Sequence, residues 1–123
     1  MTGTVLVVED EWLIGADLQE RLESQGYQVL GPAGNCAAAL EVLWSTPPDL
    51  AILDTVLGSE TCEVVLEECI RQGIPVVISS GTRAPDLPAF AVGLASISKP
   101  FDDDQIIRVI NSARRSPTPH GHP

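Results

Sequence analysis

Val5-Leu-Val-Val-Glu-Asp-Glu11 and Pro48-Asp-Leu-Ala-Ile-Leu-Asp54 decide how this chain folds. In both stretches an apolar run without polar alternation stops abruptly at carboxylates. A continuous run of that length is the pattern of a strand covered on both faces, the habit of parallel sheets packed between helices.

The flanking sequence supplies the rest of the alternation. Between Glu11 and Gln25, Ile14, Leu18 and Leu22 recur at helical spacing, and Gly26 is a stop. Tyr27 to Leu30 reads as a second strand. Asn35 can cap a second helix with Leu40, Leu43 and Trp44 on its buried face, ended by Pro47-Pro48. The third strand, Leu50 to Leu53, runs into Asp54. Residues 59–72 read as a helix with Cys62, Leu66, Cys69 and Ile70 facing inward and Gly73 closing it. Ile74 to Ser79 is a fourth strand that tolerates Pro75 near its start. Residues 81–93 are rich in Pro and Gly and read as a loop with at most a short helix. Ala95 to Ser98 is a fifth strand. Asp102 then caps a last helix with Asp103 and Asp104 at its positive end, Ile106, Ile107, Ile110 and Ala113 on its apolar face, and Arg114 and Arg115 at its negative end.

A chain of 123 residues fits one domain, expected over residues 1–115, with residues 116–123 as a disordered tail too short for an output domain. His120 and His122 belong to that tail rather than to a metal site. The net charge of −10, with seven scattered Lys and Arg residues, argues against nucleic acid as a partner, because phosphates need a basic patch. No apolar run is long enough to span a bilayer, and the N-terminus lacks the marks of a signal peptide, so a cytoplasmic protein without a membrane partner is expected. Cys36, Cys62 and Cys69 form no Cys-x-x-Cys pair and are expected as buried thiols in a reducing compartment.

Five strands alternating with helices imply an α/β fold, a doubly wound parallel sheet with helices on both faces. The flavodoxin-like strand order 2-1-3-4-5 is the natural one, with helix four short or irregular and a crevice between strands one and three at their carboxyl ends. That topology brings Glu9, Asp10 and Asp54 together, with Ser80 and Lys99 closing strands four and five on the same edge. Three neighbouring carboxylates repel one another and call for a cation; hard oxygen ligands in a small site suit Mg2+. Lys99 and the Ser80 hydroxyl would sit beside a group that becomes strongly anionic, an arrangement suited to phosphoryl transfer onto an aspartate. Taken singly, each residue has a plainer role: Asp54 as a loop cap, Glu9-Asp10-Glu11 as a helix-start charge cluster, Ser80-Gly81 as a turn, Lys99-Pro100 as a strand exit. The force lies in their combination on one edge.

The four segments Val5–Glu11, Pro48–Asp54, Ile74–Gly81 and Ser98–Phe101, in this order and spacing, resemble the receiver domains of two-component response regulators across residues 4 to about 115. Asp54-Thr-Val-Leu-Gly-Ser-Glu-Thr61 and the short stretch between Gly81 and Lys99 resemble alphaproteobacterial single-domain receivers, although Ile78-Ser-Ser-Gly81 stands where these often have Phe-Ala-Thr-Gly. The resemblance implies that Asp54 accepts a phosphoryl group from a phosphohistidine, on a sensor histidine kinase or a histidine phosphotransfer protein. It implies that Asp10 binds Mg2+ directly, Glu9 through a water, and Val56 through its backbone carbonyl. It makes Lys99 the partner of the phosphoryl oxygens, Ser80 the switch hydroxyl and Lys99–Pro100 a cis peptide. Two departures stand out. Glu9 occupies a position more often held by aspartate, and Ser96 occupies the position of the switch aromatic, so the signal must leave by another route, for which Phe90 and the region 82–93 are candidates. Output would then pass through a downstream protein partner that the residues do not name.

Two other readings compete. A degenerate receiver would keep the fold and bind protein without phosphorylation, which Ser96 favours. A phosphatase of the haloacid-dehalogenase kind would need a second aspartate two residues after the nucleophile, where Val56 stands. A receiver consumes itself as substrate and is not counted here as a turnover enzyme. The apolar residue type at Val56 cannot orient an attacking water beside Thr82. Loss of phosphate from phosphorylated protein, followed by intact mass, is therefore expected over minutes, and a half-life of about one second would contradict this.

Overall fold

The computed structural model describes residues 3–57, 60–80 and 94–115, with the backbone alone at Val56, Glu60 and Ser80. In chain order the elements are β1 (Thr4–Val8), α1 (Trp12–Ser24), β2 (Gln28–Ala33), α2 (Cys36–Ser45), β3 (Leu50–Asp54), β4 (Val56–Leu57), β5 (Glu60–Thr61), α3 (Glu63–Gln72), β6 (Val76–Ser80), β7 (Ala95–Ser98) and α4 (Asp103–Arg115). Five strands form one sheet in the order β2-β1-β3-β6-β7, every neighbouring pair parallel. Counting only these sheet strands, the order is the expected 2-1-3-4-5.

Period-two alternation sorts the strand residues between two cores. Leu6, Val8, Ala51 and Leu53 face one side with Ala39 and Leu43 of α2 and Val65, Leu66 and Cys69 of α3. Val5, Val7, Leu50 and Ile52 face the other with Leu18 and Leu22 of α1 and Ile106, Ile110 and Ala113 of α4. Both faces of β1 and β3 are thus covered, as their uninterrupted apolar runs require.

The helix ends follow local chemistry. Asn35 accepts the Ala38 N–H at 2.8 Å and caps α2. Asp102 accepts the Asp104 N–H at 3.1 Å at the start of α4. Gly73 ends α3 at φ 75°, a conformation that favours glycine. Cys36, Cys62 and Cys69 are buried free thiols, and burial pushes the last two up to about 12.

Four sequence expectations need correction. Trp44 is 62% exposed. Cys36, Ala39 and Leu43 form the buried stripe of α2, and Trp44 lies one step round the helix, off that stripe. The helix expected over 59–72 begins only at Glu63, because Glu60–Thr61 pairs antiparallel with Val56–Leu57 in a small hairpin. The second strand extends through Gly31 and Pro32 to Ala33. It lies at the sheet edge, where proline is tolerated, and its register with β1 shifts between Leu6 and Val8. The fourth sheet strand runs from Val76 to Ser80, so Ser80 belongs to the strand. The expected irregular helix four and Phe90 fall within 81–93, and the expected tail is 116–123; both segments lie outside the described residues.

Leu18 and Leu13 lie on opposite sides of α1, at 1% and 67% exposure. In urea unfolding, Leu18→Ala should cost about 2–5 kcal/mol because it leaves a cavity between α1 and the sheet. Leu13→Ala should stay within about 0.5 kcal/mol of the parent.

Candidate functional site

Register alone brings the acidic residues together. Val8 of β1 pairs with Leu53 of β3, so Glu9 and Asp54 emerge side by side at the carboxyl edge. Asp54 pairs with Ser79 of β6, and Ser80 with Ser98 of β7, which delivers Lys99 one residue later to the same edge. Glu9 is further fixed by its backbone N–H, which donates to the Ala33 carbonyl at 2.9 Å.

The side chains converge as the topology demands. Glu9, Asp10 and Asp54 each present a carboxylate oxygen within 4.8 Å of the other two. Asp10 is exposed, whereas Glu9 and Asp54 are buried at 3% and 8% exposure. The Lys99 ammonium lies 3.1 Å from Asp54 Oδ2 and 2.9 Å from Glu9 Oε1. A cluster of three hard carboxylate donors, one of them solvent-facing, fits a divalent cation of the magnesium type.

The electrostatics follow from burial and proximity. Burial raises the Glu9 pKa; Lys99 opposes that rise and the neighbouring Asp54 charge adds to it, leaving the carboxyl above its ordinary value. Burial works to lower the Lys99 pKa, but hydrogen bonds and charge from Glu9 and Asp54 outweigh it, and the amine ends above its ordinary value.

Of the residues singled out in the sequence, Glu9, Asp10, Asp54 and Lys99 meet. The backbone of Val56 follows Asp54 by two positions in β4, and Ser80 ends β6 on the same edge with its side chain outside the described residues. Ser96 is exposed on β7, in register with Ile78. Lys99–Pro100 is cis, and so is Gly31–Pro32, which the sequence reading did not anticipate. Sequence reasoning also missed Ser79, whose buried hydroxyl has no hydrogen-bond partner among the described residues. Its neighbour Ser80 drew the attention, and only the strand's alternation could have separated the two.

Residues 5–111 match the family model described as the response regulator receiver domain. The chain belongs to that family. It is 32% identical over 113 residues to the transcriptional regulatory protein PdtaR of Mycobacterium tuberculosis, covering 89% of this chain and 55% of PdtaR. It is 30% identical over 111 residues to sporulation initiation phosphotransferase F of Bacillus subtilis, covering 86% of this chain and 89% of that protein. The chain therefore spans about half the length of PdtaR but most of the sporulation protein. Among solved structures, NtrX from Brucella abortus superposes with a TM-score of 0.83 at 28% identity over 94% of this chain and 27% of NtrX. The signal receiver domain of a modulated diguanylate cyclase from Desulfovibrio desulfuricans gives 0.76 at 29% identity over 94% and 95% of the two chains. Receiver domains bind Mg2+ through acidic residues and engage histidine kinases and phosphotransfer proteins; they are usually not turnover enzymes. No helix among the described residues is long and apolar enough to cross a membrane.

The raised Lys99 pKa has a definite sign. With an ordinary value of 10.5 and a folded value above it, the ion pairs of Lys99 contribute fully below pH 10.5 and are lost as pH rises through the folded value. The urea midpoint of the parent should exceed that of Lys99→Met at about pH 9.5, and the gap should narrow by about pH 11.5. A gap that stays constant would place the effect in packing rather than charge.

Proposed function

We propose that this receiver is a phosphoryl-accepting regulator of two-component signalling, with Asp54 as the acceptor. The observation that carries the reading is the Lys99 ammonium held 3.1 Å from Asp54 Oδ2, beside the acidic group of Glu9 and Asp10. An Asp54 carboxylate oxygen attacks the phosphorus of a phosphohistidine in line. A phosphorus–oxygen bond forms, the phosphorus–nitrogen bond breaks, and the imidazole leaves with its electron pair. Bound Mg2+ supplies charge neutralisation for the transferring phosphoryl oxygens. Asp10, Asp54 and the Val56 carbonyl are the groups that would hold it, with Glu9 alongside. Lys99 pairs with a phosphoryl oxygen once the acyl phosphate forms, and the Ser80 hydroxyl is the donor assigned to another.

The donor is a sensor histidine kinase or a histidine phosphotransfer protein, and output passes to a protein partner in the cytoplasm. The chain's net charge of −10 suits such partners rather than nucleic acid. The domain is assigned to residues 1–115. Because each molecule is itself the substrate, this is a phosphoprotein and not a turnover enzyme. A phosphorylation-independent binding module is the second reading, favoured by the exposed serine at position 96.

Acetyl phosphate with Mg2+ should add one phosphoryl group to the parent and none to Asp54→Ala, read by intact mass. Trp12 is 75% exposed and two residues from Asp10, so its fluorescence should change as beryllofluoride fills the site. An unmodified mass together with a flat fluorescence signal would leave the binding module standing.

A further inference from the structure

Four large apolar side chains are exposed among the described residues: Trp12 and Leu13 on α1, Trp44 on α2 and Val64 on α3. The first pair opens α1, next to the acidic site, and α1 packs on the sheet face that it shares with α4. The second pair belongs to the opposite face, which α2 and α3 cover. None of the four lies on β7 or α4. Protein-binding surfaces draw most of their energy from a few anchors, and tryptophan is foremost among them. Trp44, 62% exposed, is such a side chain on the α2–α3 face.

The helices set the surroundings of Trp44. Val64, Glu68 and Gln72 follow one another at four-residue spacing along α3 and share one side of it. Gln72 Nε2 donates to Glu68 Oε2 at 2.7 Å and to the Leu43 carbonyl at 3.3 Å, so this row runs up to the end of α2 that carries Trp44. Glu41 stands one turn before Trp44 on α2 and is exposed. Glu63 and Glu67, also one turn apart, are exposed on α3. Arg71 is the only basic residue on either helix, and it is paired with Glu68. None of Glu41, Glu63 and Glu67 makes an ion pair among the described residues. The chemical complement of an exposed indole edged by uncompensated carboxylates is a flat, weakly hydrated cation. An arginine guanidinium stacks on the ring and pairs with carboxylates in the same contact.

We propose that the α2–α3 face around Trp44 is a protein-docking surface separate from the acidic site, and that it takes an arginine-bearing segment of another protein. Charge argues against the other occupants. The acidic face repels nucleic-acid phosphates and anionic lipid headgroups. A two-fold contact with a second copy would set the same carboxylates against themselves. Helix α2 runs from the carboxyl edge of the sheet, where β2 ends, back to the amino edge, where β3 begins. Trp44, in its last turn, therefore lies at the end away from Asp54, and a partner seated there leaves the acidic site open. The surface stands on its own geometry and does not require Asp54 to be phosphorylated.

The probe is an octa-arginine peptide added to the full chain labelled with nitrogen-15 at tryptophan, with Mg2+ present and no phosphodonor. Trp12 and Trp44 are the two tryptophans, so each indole N–H signal reports on one place. The Trp44 signal should shift and saturate while the Trp12 signal stays. Trp44→Ala should weaken binding about tenfold, and Glu41→Gln combined with Glu67→Gln about fivefold at constant salt. Octa-lysine, of equal charge, should bind about threefold more weakly or worse. A Trp44 signal that stays in place at saturating peptide would overturn the proposal. A shift centred on Trp12, unchanged affinity in Trp44→Ala or equal affinity for octa-lysine would do the same. A Trp44 signal that moves with protein concentration alone, alongside a dimer mass in sedimentation, would give the face to a second copy instead. The titration of the parent needs no variant, so it decides the matter even if a variant folds poorly. Phosphorylation of Asp54 is scored by mass in a separate sample, so failure here leaves the receiver reading in place, and failure there leaves this surface standing.

Discussion

A single ammonium, that of Lys99, reconciles two buried carboxylates that the sheet forces together. Parallel pairing of β1 with β3 places Glu9 beside Asp54 regardless of their charges. Two anions leaving water at such close quarters are costly, and their attraction to a shared cation offsets that cost. Because that cation arrives from β7, at the far edge of the sheet, the site is complete only when all the strands between are in register. The acidic site thus reports on the pairing of four of the sheet's five strands, β1, β3, β6 and β7.

The same triad is poor evidence for stability. Replacing a buried ion group by well-packed apolar residues is often neutral or stabilising, whereas removing one partner is severe. What the arrangement supplies is preorganisation: a positive group already aimed at the Asp54 carboxylate, before any ligand arrives. The apolar stripes of α1 and α4 on one face, and of α2 and α3 on the other, hold the strand ends rigid enough for that aim to persist.

Much of this was legible in the residues because strand and helix periods differ and because strand ends carry charge. The doubly covered strands were visible as apolar runs, and Asn35, Gly73 and Asp102 marked helix ends through their own chemistry. The residues that misled share a cause, in that tertiary neighbours outweighed local pattern. Trp44 looks like core by hydrophobicity, but the packing of α2 buries Cys36, Ala39 and Leu43 and leaves the neighbouring Trp44 at the surface. Glu60 and Thr61 extend a helical pattern in sequence, yet the backbone of Val56 and Leu57 pairs with them first. The second strand was expected to stop at Leu30, but an edge strand can carry Gly31 and Pro32. The contact of Glu9 with Lys99 spans 90 positions of chain, so no local signal announces it.

The scarcity of lysine has a practical corollary. With one lysine in 123 residues, amine-directed chemistry has a single side-chain destination, and that destination is the pocket itself. Acetylation or carbamylation there would strip the charge from the cation that both buried acids share, converting a reconciled triad into two bare, mutually repelling anions. Coupling strategies that immobilise proteins through surface lysines are accordingly unsuited to this molecule, whereas the guanidinium groups and the chain terminus offer attachment that leaves the pocket alone.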